Sequence, residues 1–400
     1  MLISQKMNKA ISGGSMVRRM FDEGVRLKTL HGPDKVFDYS LGNPDLTPPT
    51  SFVKVVTNIL QSNMPGIHGY MTNAGWPDVR DKLAAYLNKT IGHELKKPLD
   101  REQVIMTAGA AGAMNCVFKA VLDPGSKVIA LAPYFMEYNF YVSNHGGELL
   151  VAETDASFRP DPEDLDNNIT DDTRAVIINS PNNPTGVIYT KEDLKAIGDV
   201  LTKASRRLGR PILLISDEPY RKLVFNDKPV PSVFTAYPYS VVVNSFSKDL
   251  SLAGERIGYI AINPEMPGAE VLASAVTLAN RILGFVNAPS LMQKAVVELL
   301  EESGDLNIYR RRQDLLVGAL NQMGYELVKP DGTFYLFPKS PVPDDLAFTE
   351  ILREELILAV PGCGFARAGY FRLSLCLKEE LIEASLAGFA RAINRARQLN

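Results

Sequence analysis

The stretch Ile212-Leu-Leu-Ile-Ser216-Asp217-Glu-Pro-Tyr220 decides the fold. Its first five residues are apolar or small on both faces of an extended chain. A strand built from them needs cover on both sides, which a parallel sheet lying under helices provides. Runs of similar length and character recur at residues 127–131, 175–179, 240–244 and 257–262. Between them lie helix-like stretches: residues 191–208 place Leu194, Ile197, Val200 and Leu201 near helical spacing with charges elsewhere, as a crossover helix requires. The pattern predicts an α/β fold with right-handed crossovers and a sheet covered by helices.

Downstream the pattern changes. Residues 290–303 and 306–323 are long helix candidates, and a turn at 329–332 leads into an alternating strand at 333–338, the start of a mixed α+β unit. The expected organisation is a large domain over residues 50–290 and a smaller one assembled from both termini, residues 1–49 and 291–400.

The chain has 400 residues, 46% hydrophobic and 22% charged, enough for a large domain with a full core plus a smaller one. A net charge of −3 gives no electrostatic case for nucleic acid or an anionic membrane, so the expected partners are small molecules. Three cysteines, Cys116, Cys363 and Cys376, show no CxxC spacing, which suggests neither a disulfide framework nor a zinc site and fits a reducing cytoplasm. The four histidines are scattered singly, and no metal site is expected. Residues 1–16 lack the apolar stretch of a signal peptide, and runs such as 175–178 and 212–215 are too short to span a bilayer.

Five strings carry chemistry. In Asn244-Ser-Phe-Ser-Lys248, a lysine follows a buried run, with Arg256 eight residues on. Desolvation and neighbouring positive charge would depress its pKa and make it nucleophilic, although a surface lysine on a loop reads the same way in isolation. Asp217 ends its apolar run, and ligands of open α/β sheets bind outside the carboxyl ends of the strands. A carboxylate there can hold a pyridine nitrogen protonated, or it can simply cap the next helix. Asn179-Ser-Pro-Asn-Asn183-Pro-Thr-Gly186 follows another run, and its proline and glycine fix a turn from which Asn183 can donate a hydrogen bond. Thr107-Ala-Gly109-Ala110-Ala111-Gly opens an apolar helix; it exposes backbone N–H groups to an anion or serves as a close-packing loop, and it lacks the Gly-Lys-Ser/Thr ending of a P-loop. Near the C-terminus, Tyr370-Phe-Arg372-Leu-Ser alternates as a strand, presenting a guanidinium that can grip a carboxylate bidentately or form a surface ion pair.

Together with Leu41-Gly-Asn-Pro-Asp45, these strings resemble, in order and over nearly the whole chain, the class I/II aminotransferases, the aspartate aminotransferase-like enzymes of fold-type I that depend on pyridoxal 5'-phosphate (PLP). The resemblance implies a seven-stranded, mostly parallel sheet in the large domain and a homodimer with shared active sites. It makes Lys248 the Schiff-base lysine, pairs Asp217 with the pyridine nitrogen, and gives Tyr220 and Asn183 to the phenolic oxygen. Arg256, Ser245 and the backbone of Ala110 and Ala111 would hold the phosphate, with Tyr70 reaching the neighbouring subunit's cofactor. Phe135 is the chosen ring to stack on the pyridine, with Tyr134 and Tyr138 as alternatives. Arg372 and the backbone of Gly42 would bind the α-carboxylate. A distal carboxylate would need another cation, and Arg281, Arg18 and Arg19 are the candidates.

The resemblance implies amino transfer from an L-amino acid, aspartate first, to a 2-oxo acid such as 2-oxoglutarate, by a ping-pong aldimine and ketimine route in which Lys248 moves the proton. The same scaffold also supports carbon–sulfur β-elimination and other cleavages at Cα. A ligand-sensing regulator of this type would carry a DNA-binding domain, and no basic recognition helix precedes residue 41.

Overall fold

The computed structural model describes residues 2–12, 16–225 and 229–398; the side chains of Ser12, Val17 and Arg18 also fall outside the description. Seven strands form the main sheet: β1 (Val104–Thr107), β2 (Lys127–Leu131), β3 (Glu148–Ala152), β4 (Thr173–Asn179), β5 (Leu213–Asp217), β6 (Ser240–Ser245) and β7 (Gly258–Ile262). Their order across the sheet is β1-β7-β6-β5-β4-β2-β3. Only β7 runs against the other six, pairing antiparallel with β1 on one side and β6 on the other.

β1 and β3 were not picked out by the runs above. β1 has only four residues. β3 is at the sheet edge and buries only its last residue fully, so it never shows the two-sided apolar pattern. The buried strands divide their side chains between two cores: Ile129, Val176, Ile178 and Leu214 pack on one face, and Val128, Ile177, Ile215 and Val243 on the other. The crossover helix Lys191–Leu208 opens on a capping box between Thr190 and Asp193 and ends at Gly209, in the left-handed region at φ 66°. Its Leu194, Ile197 and Leu201 join the first core.

A third apolar cluster lies beyond the carboxyl ends of the strands. It gathers Leu316, Phe348, Phe371, Leu373 and Phe389 from helices Leu306–Met323, Asp345–Glu354 and Glu379–Arg397 and from strand Phe371–Ser374. That strand lies between Val360–Pro361 and Tyr335–Leu336 in a small antiparallel sheet. Phe37–Asp38, near the N-terminus, pairs in parallel with Ile357–Leu358, so both ends of the chain build this body. Tyr220 and Leu223, just past β5, pack into the same cluster and tie it to the main sheet. The helix candidate at 290–303 is shorter than expected, Ser290–Val296, and packs on helix Thr50–Gln61. Its Met292 and Val296, with Leu299 and Leu300, belong to the main sheet's first core.

No described helix is long and apolar enough to cross a membrane. No group of three or more His, Cys, Asp or Glu residues placed to hold a metal occurs among the described residues.

Candidate active site

The strand ends bring the chemistry together. A cleft of about 340 Å³ opens where the main sheet meets the small body, and Gly42, Ala110, Ala111, Phe135, Asn183, Asp217, Tyr220, Ser245, Lys248, Arg256 and Arg372 all line it. Residues scattered over more than 300 positions converge because β1, β2, β4, β5 and β6 all end on this side, and the antiparallel β7 begins there.

Thr107, Gly258 and Ser245 lie abreast in the register of β1, β7 and β6. Just past Thr107, Gly109 sits at φ 71° and starts helix Gly109–Val121. The first turn of a helix leaves its N–H groups without internal partners, so Ala110 and Ala111 offer donors to an anion. A β-carbon on Gly109 would come within 2.9 Å of Arg256 Nη2, so glycine is what lets the guanidinium close on this helix start. Ser245, abreast of Gly258, lies at the same corner, and Ser247 also lines the cleft. The result is a cradle of backbone donors, a hydroxyl and one guanidinium.

Asp217 ends β5 and is buried. Its Oδ2 accepts a hydrogen bond of 2.5 Å from Tyr138 Oη, while its Oδ1 is buried with no partner. Burial pushes the Asp217 carboxyl up to about 7, against the Tyr138 hydrogen bond, which favours the charged form. Asn179, abreast of Asp217 on β4, donates to the Asp217 carbonyl at 2.7 Å and accepts from the Asn183 backbone N–H at 2.6 Å. The turn that carries Asn183 is thereby fixed to the strand that carries Asp217.

Arg372 is 2% exposed, and among the described residues no carboxylate pairs with it. Its Nη1 donates to Asn183 Oδ1 at 3.0 Å and its Nη2 to the Ser40 carbonyl at 2.6 Å, while Nε has no partner. The guanidinium is held between the rings of Tyr335, at 4.5 Å, and Phe365, at 4.8 Å. A buried cation with neutral neighbours calls for an anion from outside the chain.

Lys248 donates from Nζ to the Gly42 carbonyl at 2.7 Å. Burial, aided by Arg372 and Arg256 and opposed by Cys376 and Asp217, lowers its pKa to about 8. At neutral pH a usable fraction of this amine is therefore uncharged and nucleophilic.

The remaining candidates divide. Phe135 lines the cleft edge-on to Tyr138, at 5.8 Å and 90°, whereas Tyr134 stacks behind Tyr138 at 6.3 Å and is not among the lining residues. Tyr70 is 90% exposed and lies with His68 and Phe285 along a separate groove, away from its own chain's cleft. Arg281 and Arg19 are exposed, and neither lines the cleft. The Arg18 side chain lies outside the described residues. Sequence reading missed the partnership of Tyr138 with Asp217 and the presence of Tyr335, Tyr141 and Ser247 in the lining. A signal existed for Tyr138, an aromatic three residues beyond Phe135.

This fold and this cleft are those of an aminotransferase: residues 34–389 match the family described as aminotransferase class I and II, and the chain belongs to it. Among its relatives, the aspartate/prephenate aminotransferase of Thermus thermophilus is 33% identical over 365 residues, covering 89% of this chain and 90% of that protein. The aspartate aminotransferase of Thermotoga maritima is likewise 33% identical, covering 88% and 90%. Among solved structures, an aminotransferase from Eubacterium rectale superposes with a TM-score of 0.95 at 37% identity, covering 99% of both chains. Aspartate aminotransferase from Thermus thermophilus with maleate superposes with a TM-score of 0.84 at 30% identity, covering 95% of this chain and 97% of that one.

Proposed function

We propose that the protein is a PLP-dependent aminotransferase that takes its amino group from an L-amino acid, aspartate first, and passes it to a 2-oxo acid such as 2-oxoglutarate in two half-reactions. The observation that carries this reading is Asp217 Oδ1, a buried carboxylate oxygen without a partner, in the cleft that also holds the Arg372 guanidinium, which no carboxylate among the described residues pairs. A protonated pyridine nitrogen fits the first, and a substrate carboxylate fits the second.

The donor set fits the cofactor. The cradle of Ala110, Ala111, Ser245 and Arg256 would hold its phosphate, Tyr220 and Asn183 its phenolic oxygen, and Phe135 would pack on the ring. Bound there, PLP supplies an electron sink for the bond broken at Cα. Asp217 would keep the ring nitrogen protonated, and the Tyr138 hydrogen bond favours the ionised form of Asp217. Arg372, with the Gly42 backbone beside it, orients the substrate by its α-carboxylate. Lys248, once freed by the incoming amine, would take the Cα proton and return it two bonds away, on the far side of the nitrogen, which its depressed pKa permits near neutrality.

Aspartate leads because the relatives above bear its name and one of them was solved with maleate, a dicarboxylate. In this chain no cation beyond Lys248, Arg256 and Arg372 lines the cleft among the described residues, so a distal carboxylate would be met from a second subunit. A homodimer suits this. Exposed Tyr70 lies beside Phe285, and Val271, Leu278 and Ile282 leave apolar surface on helix Ala269–Ile282. In the two-body division, we place residues from about 50 to about 300 with the main sheet. Three free cysteines suit a reducing compartment, and we place the protein in the cytoplasm.

The test is an absorbance spectrum of the purified protein with PLP, before and after separate additions of aspartate, a branched and an aromatic amino acid. A band above about 400 nm that gives way to one near 330 nm, and returns with 2-oxoglutarate, supports transamination. Release of pyruvate and ammonia without any oxo acid would instead establish a lyase. No visible band at all would remove Lys248 from its role.

A further inference from the structure

We propose that Tyr335 is a positioning residue that joins the carboxylate-binding Arg372 to the Tyr220 hydroxyl and to the Gly42 segment. The inference rests on the reading of the cleft given above. Tyr335 is buried in strand Tyr335–Leu336, in register with Ser374, two residues from Arg372. Three contacts converge on it. Its ring carries the Arg372 guanidinium at 4.5 Å. Its hydroxyl is 3.3 Å from the Tyr220 hydroxyl, with the two rings edge to face at 5.7 Å. The same hydroxyl fills the space over Gly42, where a β-carbon would lie 1.7 Å from it.

Each contact has a separate consequence. The ring face attracts the guanidinium and, with Phe365 on the other side, leaves the cation one plane in which to present its N–H groups. Once the Tyr220 proton is committed to the cofactor's phenolic oxygen, Tyr335 is the donor in the pair and polarises Tyr220 into a stronger donor. A stronger donor there stabilises negative charge on the phenolic oxygen and lowers the pH at which the cofactor's visible band changes. Arg372, Asp217, Tyr138 and Cys376 are the other charged or titratable groups acting on these two tyrosines, and all stay in place when only the Tyr335 hydroxyl is removed. The contact with Gly42 links the pair to the segment whose carbonyls receive Lys248 and Arg372.

The experiment compares wild-type holoenzyme with Tyr335→Phe and Tyr335→Leu. It reads the pH midpoint of the visible band without substrate, KM and kcat for the responsive amino acid, and the thermal midpoint. Tyr335→Phe keeps the ring, so it should raise the band midpoint by about half a pH unit and leave KM within about twofold, as for one lost hydrogen bond. Tyr335→Leu should also raise KM about tenfold, with a smaller change in kcat, because the guanidinium loses its ring. If both variants keep the wild-type band midpoint and KM, or lose only thermal stability, the proposal is overturned. If Tyr335→Leu does not fold, the band midpoint of Tyr335→Phe decides alone. A wild-type protein with no visible band would bring down the underlying reading instead, an outcome distinct from unaltered variants of a working enzyme.

Discussion

Tyr138 donates its hydroxyl to Asp217 Oδ2 at 2.5 Å, and the other oxygen of the same carboxylate points to no partner. Burial holds the tyrosine well above its usual pKa, and the neighbouring carboxylate adds to this, so Tyr138 remains a donor. The bond steadies one oxygen and favours the ionised form, leaving the second free for a ligand cation. Removing it with Tyr138→Phe should weaken PLP retention and lower kcat, each by about tenfold, the scale of a hydrogen bond to a charged group. Titration of the apoprotein with PLP, followed by absorbance, checks the first effect. Unchanged affinity would mean that Asp217 needs no such support.

Asp217 also sets a pH dependence of stability. Its folded value, about 7, lies above its ordinary 3.8, so between those pH values the folded chain keeps a proton the unfolded chain has lost. Its contribution is therefore full below about 4, declines as pH rises through 7, and stays reduced above that. Asp217→Asn removes the buried charge, so the apoprotein variant should melt about 2–5 °C above wild type at pH 8 and nearly level with it at pH 4. The same variant should lose most transamination activity. Calorimetry at the two pH values checks the difference, and a variant equally stable at both would place the proton elsewhere.

Lys248 gives a kinetic signature. With a value near 8 in place of 10.5, the uncharged amine is about a tenth of the total at pH 7 and dominates above pH 9. The rate of PLP capture by apoprotein should accordingly rise with pH and level off near pH 9, where an unperturbed lysine would still be climbing. Stopped-flow absorbance follows this directly. Lys248→Ala should bring no visible band and a loss of about 10²–10⁴-fold in turnover.

Arg372→Lys tests carboxylate binding. Lysine keeps the charge but loses the planar fork that spans Asn183 Oδ1 and the Ser40 carbonyl, along with its place between Tyr335 and Phe365. KM for the amino acid should rise about a hundredfold, the worth of a good bidentate contact, with PLP affinity unchanged. Steady-state kinetics alongside PLP titration separates the two; a parallel loss of PLP binding would assign Arg372 a cofactor role.

Much of this site was legible because strand ends announce themselves. Asp217, Asn183, Lys248 and Arg256 each follow or precede a short apolar run, and a parallel sheet sends such positions to one side. The edge strand β3 was hidden by its exposure, and β1 by its length. Tyr335 was hidden differently. Within its run it occupies an ordinary alternating position; the pairing of Tyr335 with Ser374 brings it to Arg372, and tertiary packing brings it to Tyr220. Tyr70 and Arg281 are exposed in the single chain, so the sequence assignment of roles to them depends on a second copy.

Gly42 offers the sharpest steric test. A methyl group added there would meet Tyr335 Oη at 1.7 Å, with two ring carbons at 2.6 and 2.9 Å, and Tyr335 is buried between Phe334, Tyr220 and Arg372. A ring so enclosed cannot swing away freely, so Gly42→Ala must displace either the ring or the segment carrying Ser40 and Gly42. Either movement breaks a contact that orients Arg372 or receives Lys248. The expected cost is about 1–3 kcal/mol in folding stability, as for overpacking elsewhere in protein cores. KM should rise about tenfold, since carboxylate binding depends on the same contacts. A double variant, Gly42→Ala with Tyr335→Phe, should recover part of the stability, because the clashing oxygen is then gone. Denaturant unfolding of the two single variants and the double completes the cycle. Strict additivity would show that Gly42 and Tyr335 do not meet as described, and coupling of the expected sign would show that they do.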